Sequence, residues 1–261
     1  MKVLLCKPQF INISTDINPR ANISSVNIPK LHSEYESLQK IFKELGVKVF
    51  EVDQIEEAPG MIYAGDWGFV QDERFIESKF KPSARRKESK IISKIFEDMG
   101  YQVLSRLGRD YFEGSDLVQI DDNFYFGWGK RSAKKTQDYL EGVFGTQVTE
   151  FKITHNKYFH LTDCICPLTT SSALYYPQSL TMIEQAKVCF HFSNPIAVET
   201  VDAEIYACNS LKIDDKIIID KRVTVNLESK LKGVGMEVIR VEFEEYSKLG
   251  TGIRGICLLF D

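Results

Sequence analysis

Apolar positions along the chain recur in a fixed order: an amphipathic helix, a glycine, then a β-rich run. EYESLQKIFKELGVKVFEV (34–52) spaces its apolar residues for a helix, stops at Gly46 and continues as a strand. ESKIISKIFEDMGYQVLS (88–105) repeats the order around Gly100, and KKTQDYLEGVFGTQVTEFK (134–152) around Gly145. VTVNLESKLKGVGMEVIRV (223–241) does so around Gly233 and Gly235. The interval before this last stop is nearly twice the earlier ones. A weaker helix-to-strand segment, QSLTMIEQAKVCFHF (178–192), falls where a copy is missing. The pattern predicts about five related units.

Pairs of strands separate these segments. DLVQIDDNFYFGW (116–128) predicts a hairpin turning at Asp122-Asn123, and SLKIDDKIIID (210–220) another turning at Asp214-Asp215. The unit is therefore strand-strand-helix-strand, an α/β arrangement that argues against a Rossmann fold. Neither G-x-G-x-x-G nor G-x-x-x-x-G-K-[ST] occurs, and GWGKRS holds only the first part of a nucleotide fingerprint. No linker interrupts the pattern, so one domain over residues 1–261 is expected. Residues 7–33 form a loop longer than a connector needs, read equally well as a lid or as a surface excursion.

Composition narrows the class. Hydrophobic residues at 43% and charged residues at 27% suit an ordinary globular protein, and a net charge of -4 disfavours nucleic acid as a partner. No stretch reaches the ~18 apolar residues of a membrane helix, and Lys7 and Pro8 end the opening apolar run too early for a signal peptide. Cys6, Cys164, Cys166, Cys189 and Cys208 sit in or beside apolar runs, as core cysteines do, and imply a reducing cytoplasm. Cys164-x-Cys166 lacks the further ligands of a zinc site.

Four segments set polar residues where a buried scaffold has no use for them: YAGDWGFV (63–70), DYFEGSDLV (110–118), KYFHLTDCICPL (157–168) and TGIRGICLLF (251–260). Singly, each has a plain explanation. A histidine between apolar neighbours is more often a satisfied core residue than a base, and a strand cysteine is inert unless something lowers its pKa. Glu113-Gly114 reads as a turn. Together they supply a cysteine, a distant histidine and two carboxylates, which is what substitution at a guanidinium carbon requires. Carboxylates hold the planar cation, a thiolate attacks, and a histidine protonates the departing nitrogen.

These segments resemble the guanidino-group-modifying, or pentein, superfamily nearly end to end. INPR (17–20) resembles the family's INPW lid segment, IYAGDWGFV its FTxNxGxV or FTRD strand, and ARRKE its R-R-x-E helix start. FEGSD resembles E-G-G-D, GKRS resembles G-x-R-T, FHLTDCICPL resembles H-L-D-T-x-x-x-P-L, and GIRGICL resembles G-G-V-x-C. The resemblance implies a five-bladed propeller of ββαβ units with pseudo-fivefold symmetry and a hydrolase for arginine or a methylated arginine. It implies a covalent amidino-cysteine intermediate and no cofactor or metal. Amidino transfer to an amine, arginine deiminase or dihydrolase action, and an inactive binding module are the alternatives. By position, it makes Cys257 the nucleophile and His160 the acid and later base. Asp66 and Glu113 become the guanidinium clamp, and Arg85 and Arg131 the substrate-carboxylate arginines, with Arg86 able to exchange with Arg85. Deiminases carry an acid two residues after the histidine; here Thr162 stands there and Asp163 follows. On a strand that step turns Asp163 to the opposite face, which leans toward an alkylated substrate. Trp67 beside Asp66 and Ser115 within FEGSD suggest an altered pocket. The partner expected is a small guanidino compound, with neither nucleic acid nor membrane, and a homodimer is left open.

Overall fold

The computed structural model describes residues 1–105 and 110–260. In the first blade, β1 (Lys2–Lys7) leads through the long loop to α1 (Ile28–Glu44) and to β2 (Lys48–Asp53), which lies parallel to β1. The second blade is β3 (Gly68–Gln71), β4 (Arg74–Glu77), α2 (Arg86–Asp98) and β5 (Gln102–Leu104). The third is β6 (Leu117–Ile120), β7 (Asn123–Gly129), α3 (Thr136–Phe144) and β8 (Val148–Ile153). A single helical turn, α4 (Leu161–Cys164), precedes the fourth: β9 (Ile165–Pro167), β10 (Ser172–Tyr175), α5 (Met182–His191) and β11 (Asn194–Ala197). After α6 (Thr200–Ala203) the fifth runs through β12 (Leu211–Ile213), β13 (Lys216–Asp220), α7 (Val225–Gly233) and β14 (Glu237–Val241). The chain ends with α8 (Glu244–Lys248) and β15 (Leu258–Phe260).

Each sheet has three strands. The inner strand runs antiparallel to the middle one, and the outer strand returns parallel to it through the helix. Blade one closes the ring, because its inner strand is the last in the chain: β15 pairs with β1 in the register Val3↔Leu259 and Leu4↔Leu258. The fold is thus a five-bladed α/β propeller, and β3, β6, β9, β12 and β15 surround a central channel of about 400 Å³. The helix stops behave as expected. Gly145 caps α3 with a left-handed φ of +68° and donates its N–H to the Glu141 carbonyl. The hairpin at 210–220 turns at Asp214, but the other turns one residue earlier than predicted, with Asp121 at φ +51° and β7 starting at Asn123.

One recurring feature positions the site. Every inner strand is entered through a short helical turn: Ala64–Asp66, Gly114–Asp116, Leu161–Cys164, Ala207–Asn209 and Arg254–Ile256. These five turns crowd together at one end of the channel. A Cβ on Gly114 would collide with the carbonyls of Gly65 and Gly68, so that turn needs glycine for its close approach. Between blades the chain packs apolar clusters, including one of Val3, Leu5, Tyr35, Phe42 and Tyr246.

Candidate active site

Four of the five turns deliver polar side chains to a common point. Asp66 ends the turn before β3, Glu113 and Asp116 bracket the turn before β6, His160 caps the turn before β9, and Asn209 ends the turn before β12. Asp66, Ser115, His160 and Asn209 border a small cavity of about 20 Å³, room for about one water. The long loop covers it. Ile17 and Asn18 form part of the lining, and the Asn18 side chain donates to the carbonyls of Leu249 (3.3 Å) and Gly250 (3.1 Å). Arg131 donates to the Ile17 carbonyl at 2.7 Å. The loop is thus tied down over the site at Ile17 and Asn18.

His160 is the hub. Its Nε2 is 3.7 Å from Asp66 Oδ1 and 3.6 Å from Glu113 Oε2, while its Nδ1 is 3.3 Å from Asp116 Oδ1. Asp116 is itself fixed, accepting from the Leu161 N–H at 2.9 Å and the Ser132 hydroxyl at 2.6 Å. Burial by itself would favour neutral His160, but Asp66, Asp116 and Glu113 outweigh it and push the pKa up to about 9. Glu113 moves the other way from a free carboxylate. Burial raises its pKa against the pull of Arg131 and His160, and its Oε2 has no hydrogen-bond partner. Asp66 is buried too, yet His160 and Arg85 hold its pKa below the usual value. The facing atoms of Asp66, Glu113 and His160 lie within 4.8 Å of one another, close enough to share one cation, whether a metal ion or an organic one.

The two arginines do work within the chain. Arg85 is 1% exposed; it donates to Glu88 through Nε (3.1 Å) and Nη2 (2.9 Å), pairs with Asp66 at 2.5 Å, and lies 4.1 Å over the Phe80 ring. Expected to meet a substrate carboxylate, it instead spends its donors on buried acids and on the Gly60 carbonyl, and so fixes Asp66. Arg86 is exposed. Arg131 stands 3.9 Å from Glu113 and over the Phe159 ring, and ties the lid at Ile17.

Asp163 lies on the side of the site, against the expectation from strand alternation. Residues 161–164 form a helical turn, so three residues bring Asp163 back to the side of His160. Its carboxylate accepts from the Phe159 and His160 N–H groups at 3.3 Å and from Asn209 Nδ2 at 3.1 Å, and it borders the cavity. Arg20 of the lid approaches it at 3.4 Å, its guanidinium 3.7 Å over the Tyr206 ring. The preference for an alkylated substrate loses its basis. Trp67 packs wholly in the core beside Phe75 and Phe80, whereas Ser115 does border the cavity.

Cys257 is not brought to this cluster. In the fifth turn the position held by Asp66, Asp116 and Asn209 in three others is Ile256, and Cys257 comes one residue later, on the strand. Continuing the β15–β1 register sets Cys257 opposite Leu5, and opposed residues share a face. Accordingly Cys257 packs in the cluster of Val3, Leu5, Tyr35 and Tyr246, while Leu258 packs with Leu4 and Cys6 on the other side. Gly255, not Cys257, borders the lidded cavity. Burial pushes the thiol pKa well up, opposed only by Arg254 in the channel.

A five-bladed propeller with a carboxylate–histidine cage at one end of its axis is the architecture expected of the guanidino-group-modifying superfamily, and the similarities to known proteins put the chain there. Within it, residues 17–259 match the model for the eukaryotic N,N dimethylarginine dimethylhydrolase family, and the chain belongs to that family. It is 27% identical over 269 residues to the bifunctional arginine dihydrolase/ornithine cyclodeaminase ArgZ of Synechocystis, covering 99% of this chain but 37% of that protein. It is 22% identical to the N(G),N(G)-dimethylarginine dimethylaminohydrolase of Mycobacterium tuberculosis, over 95% of this chain and 82% of the other. The crystal structure of the N-terminal domain of ArgZ bound to product superimposes with a TM-score of 0.91 at 25% identity, covering 98% of this chain and 96% of that one.

Proposed function

We propose that this chain hydrolyses the guanidinium group of arginine or a methylated arginine. The convergence of Asp66, Glu113 and His160 within 4.8 Å of one another carries the reading. Two carboxylates facing one buried point suit a planar cation, which they hold by charge-assisted hydrogen bonds. With Nδ1 turned to Asp116, His160 presents Nε2 to the ligand and protonates the departing nitrogen. A thiolate bonds to the guanidinium carbon and an amine or ammonia leaves with that proton. His160 then takes a proton from water, which displaces the thiol and yields a ureido product. Relatives named as a dimethylarginine dimethylaminohydrolase and as an arginine dihydrolase support the choice of substrate class.

Cys257 serves as nucleophile here only after a rearrangement. A cavity of about 20 Å³ has no room for an arginine side chain, so admitting one requires the loop to move. The lid is hydrogen-bonded to Leu249 and Gly250, at the root of the segment that carries Cys257, so opening frees that segment as well. The placement of Cys257 favours a second reading: the cage captures a guanidinium cation without turning it over. Amidino transfer differs from hydrolysis only in the second nucleophile. The six cysteines, all unpaired, support a reducing compartment, and among the described residues no helix is long and apolar enough to cross a membrane.

A substrate panel of arginine, methylated arginines and agmatine, with and without an acceptor amine, tests the proposal. Ureido product and released amine, both lost in His160→Ala, support hydrolysis. Tight arginine binding with no product supports the second reading.

A further inference from the structure

Four of the five outer helices keep their large apolar residues inward or at their first residue. Ile28 (42% exposed) and Val225 (75%) open α1 and α7, and α2 and α3 expose none. Helix α5 differs. Its inner face buries Val188 and Glu184, while Met182 is 86% exposed, Ile183 70% and Phe190 85%. Ala186 and Cys189 are exposed between them, so the five residues make a continuous apolar stripe along the solvent side. The three large side chains present on the order of 400 Å² of apolar surface, as much as the largest patches usual on monomers.

We infer that this stripe is the interface of a two-fold dimer, in which α5 packs antiparallel against α5 of a second copy. The area fits. One partner of a standard interface buries about 800 Å², a little over half of it apolar. The spacing is self-complementary: Ile183 and Phe190 lie seven residues apart with small Ala186 between them, so two helix axes can approach closely at the centre. A two-fold axis there sets Ile183 against Phe190 of the second copy, and Phe190 against its Ile183, as an isologous contact requires. No flanking charge asks for a partner of opposite sign, because Lys187 is already paired with Glu150 (3.0 Å) and Glu184 (3.3 Å).

Sedimentation velocity on the full chain tests this, with circular dichroism confirming that each variant is folded. The wild type sediments as a dimer, and Ile183→Lys and Phe190→Glu each weaken dimerisation at least ~30-fold, the scale of a central hot spot. Mixing the two variants restores a heterodimer. The introduced lysine then meets the introduced glutamate across one contact, while the unchanged Phe190 and Ile183 meet across the other. A monomeric wild type, variants that remain dimeric, or a mixture that stays monomeric would each overturn the proposal.

Discussion

The fifth turn of the propeller differs from the other four in what it carries to the axis. Asp66, His160 with Asp163, and Asn209 border the cavity from their turns, and the Glu113–Asp116 pair flanks His160; each is buried. The corresponding position in the fifth turn is Ile256, and both it and Cys257 lie in an apolar cluster. Where the other four turns present polar groups to the site, this one fills the core. The difference teaches that charge complementarity and nucleophilicity are built independently on this scaffold. The cage is complete in this structure, with the thiol outside it.

The largest effect expected on either side of this comparison is at Arg85. Arg85→Met leaves Asp66 and Glu88 buried without their cation, and such a loss costs about 3–5 kcal/mol. Urea denaturation should show it as a large fall in midpoint; a substrate-carboxylate arginine would raise KM and leave the midpoint alone. Cys257→Ser comes next. A hydroxyl placed among Val3, Leu5 and Tyr246 without a partner costs roughly 1–3 kcal/mol, read as a lower Tm. An unchanged Tm with abolished turnover would instead put the thiol in the site.

Reactivity of the thiol sharpens the contrast. An amidine-bearing electrophile should label Cys257 no faster than the exposed Cys189, because Cys257 is buried and burial pushes its thiol pKa well up. Labelling of Cys257 at least ~10-fold faster than Cys189 would show that it already reaches the cavity. The smallest effect concerns pH. Folded His160 holds its proton to about 9, against about 6.5 in the unfolded chain. Its contribution to stability is therefore full below pH ~6.5 and is lost as pH rises toward 9. Tm should fall across that window in the wild type and less in His160→Gln.

The repeat is legible in the sequence because each helix stops at a glycine before a strand, a pattern set by local chemistry. So is the cage: Asp66, Glu113 and His160 lie in segments whose polarity fits no strand interior. Asp116 and Ser132 stand inside the motifs FEGSD and GKRS, but their role of turning His160 depends on contacts between blades that no spacing shows. Asp163 escapes a sequence reading because a four-residue helical turn between apolar neighbours looks like strand. Arg85 escapes it because R-R-x-E gives no sign that Glu88 and Asp66 close on it from two directions. Cys257 is drawn to the site by a motif that shows nothing of the apolar cluster into which its strand register packs it.

Calorimetric titration of arginine into wild type and Glu113→Gln tests most directly the claim that the cage holds a guanidinium cation. The wild type should bind arginine, and Glu113→Gln, isosteric but uncharged, should bind it at least ~10-fold more weakly, the loss of one charge-assisted contact. Equal affinities in the two proteins, or no arginine binding by a folded wild type, would contradict it.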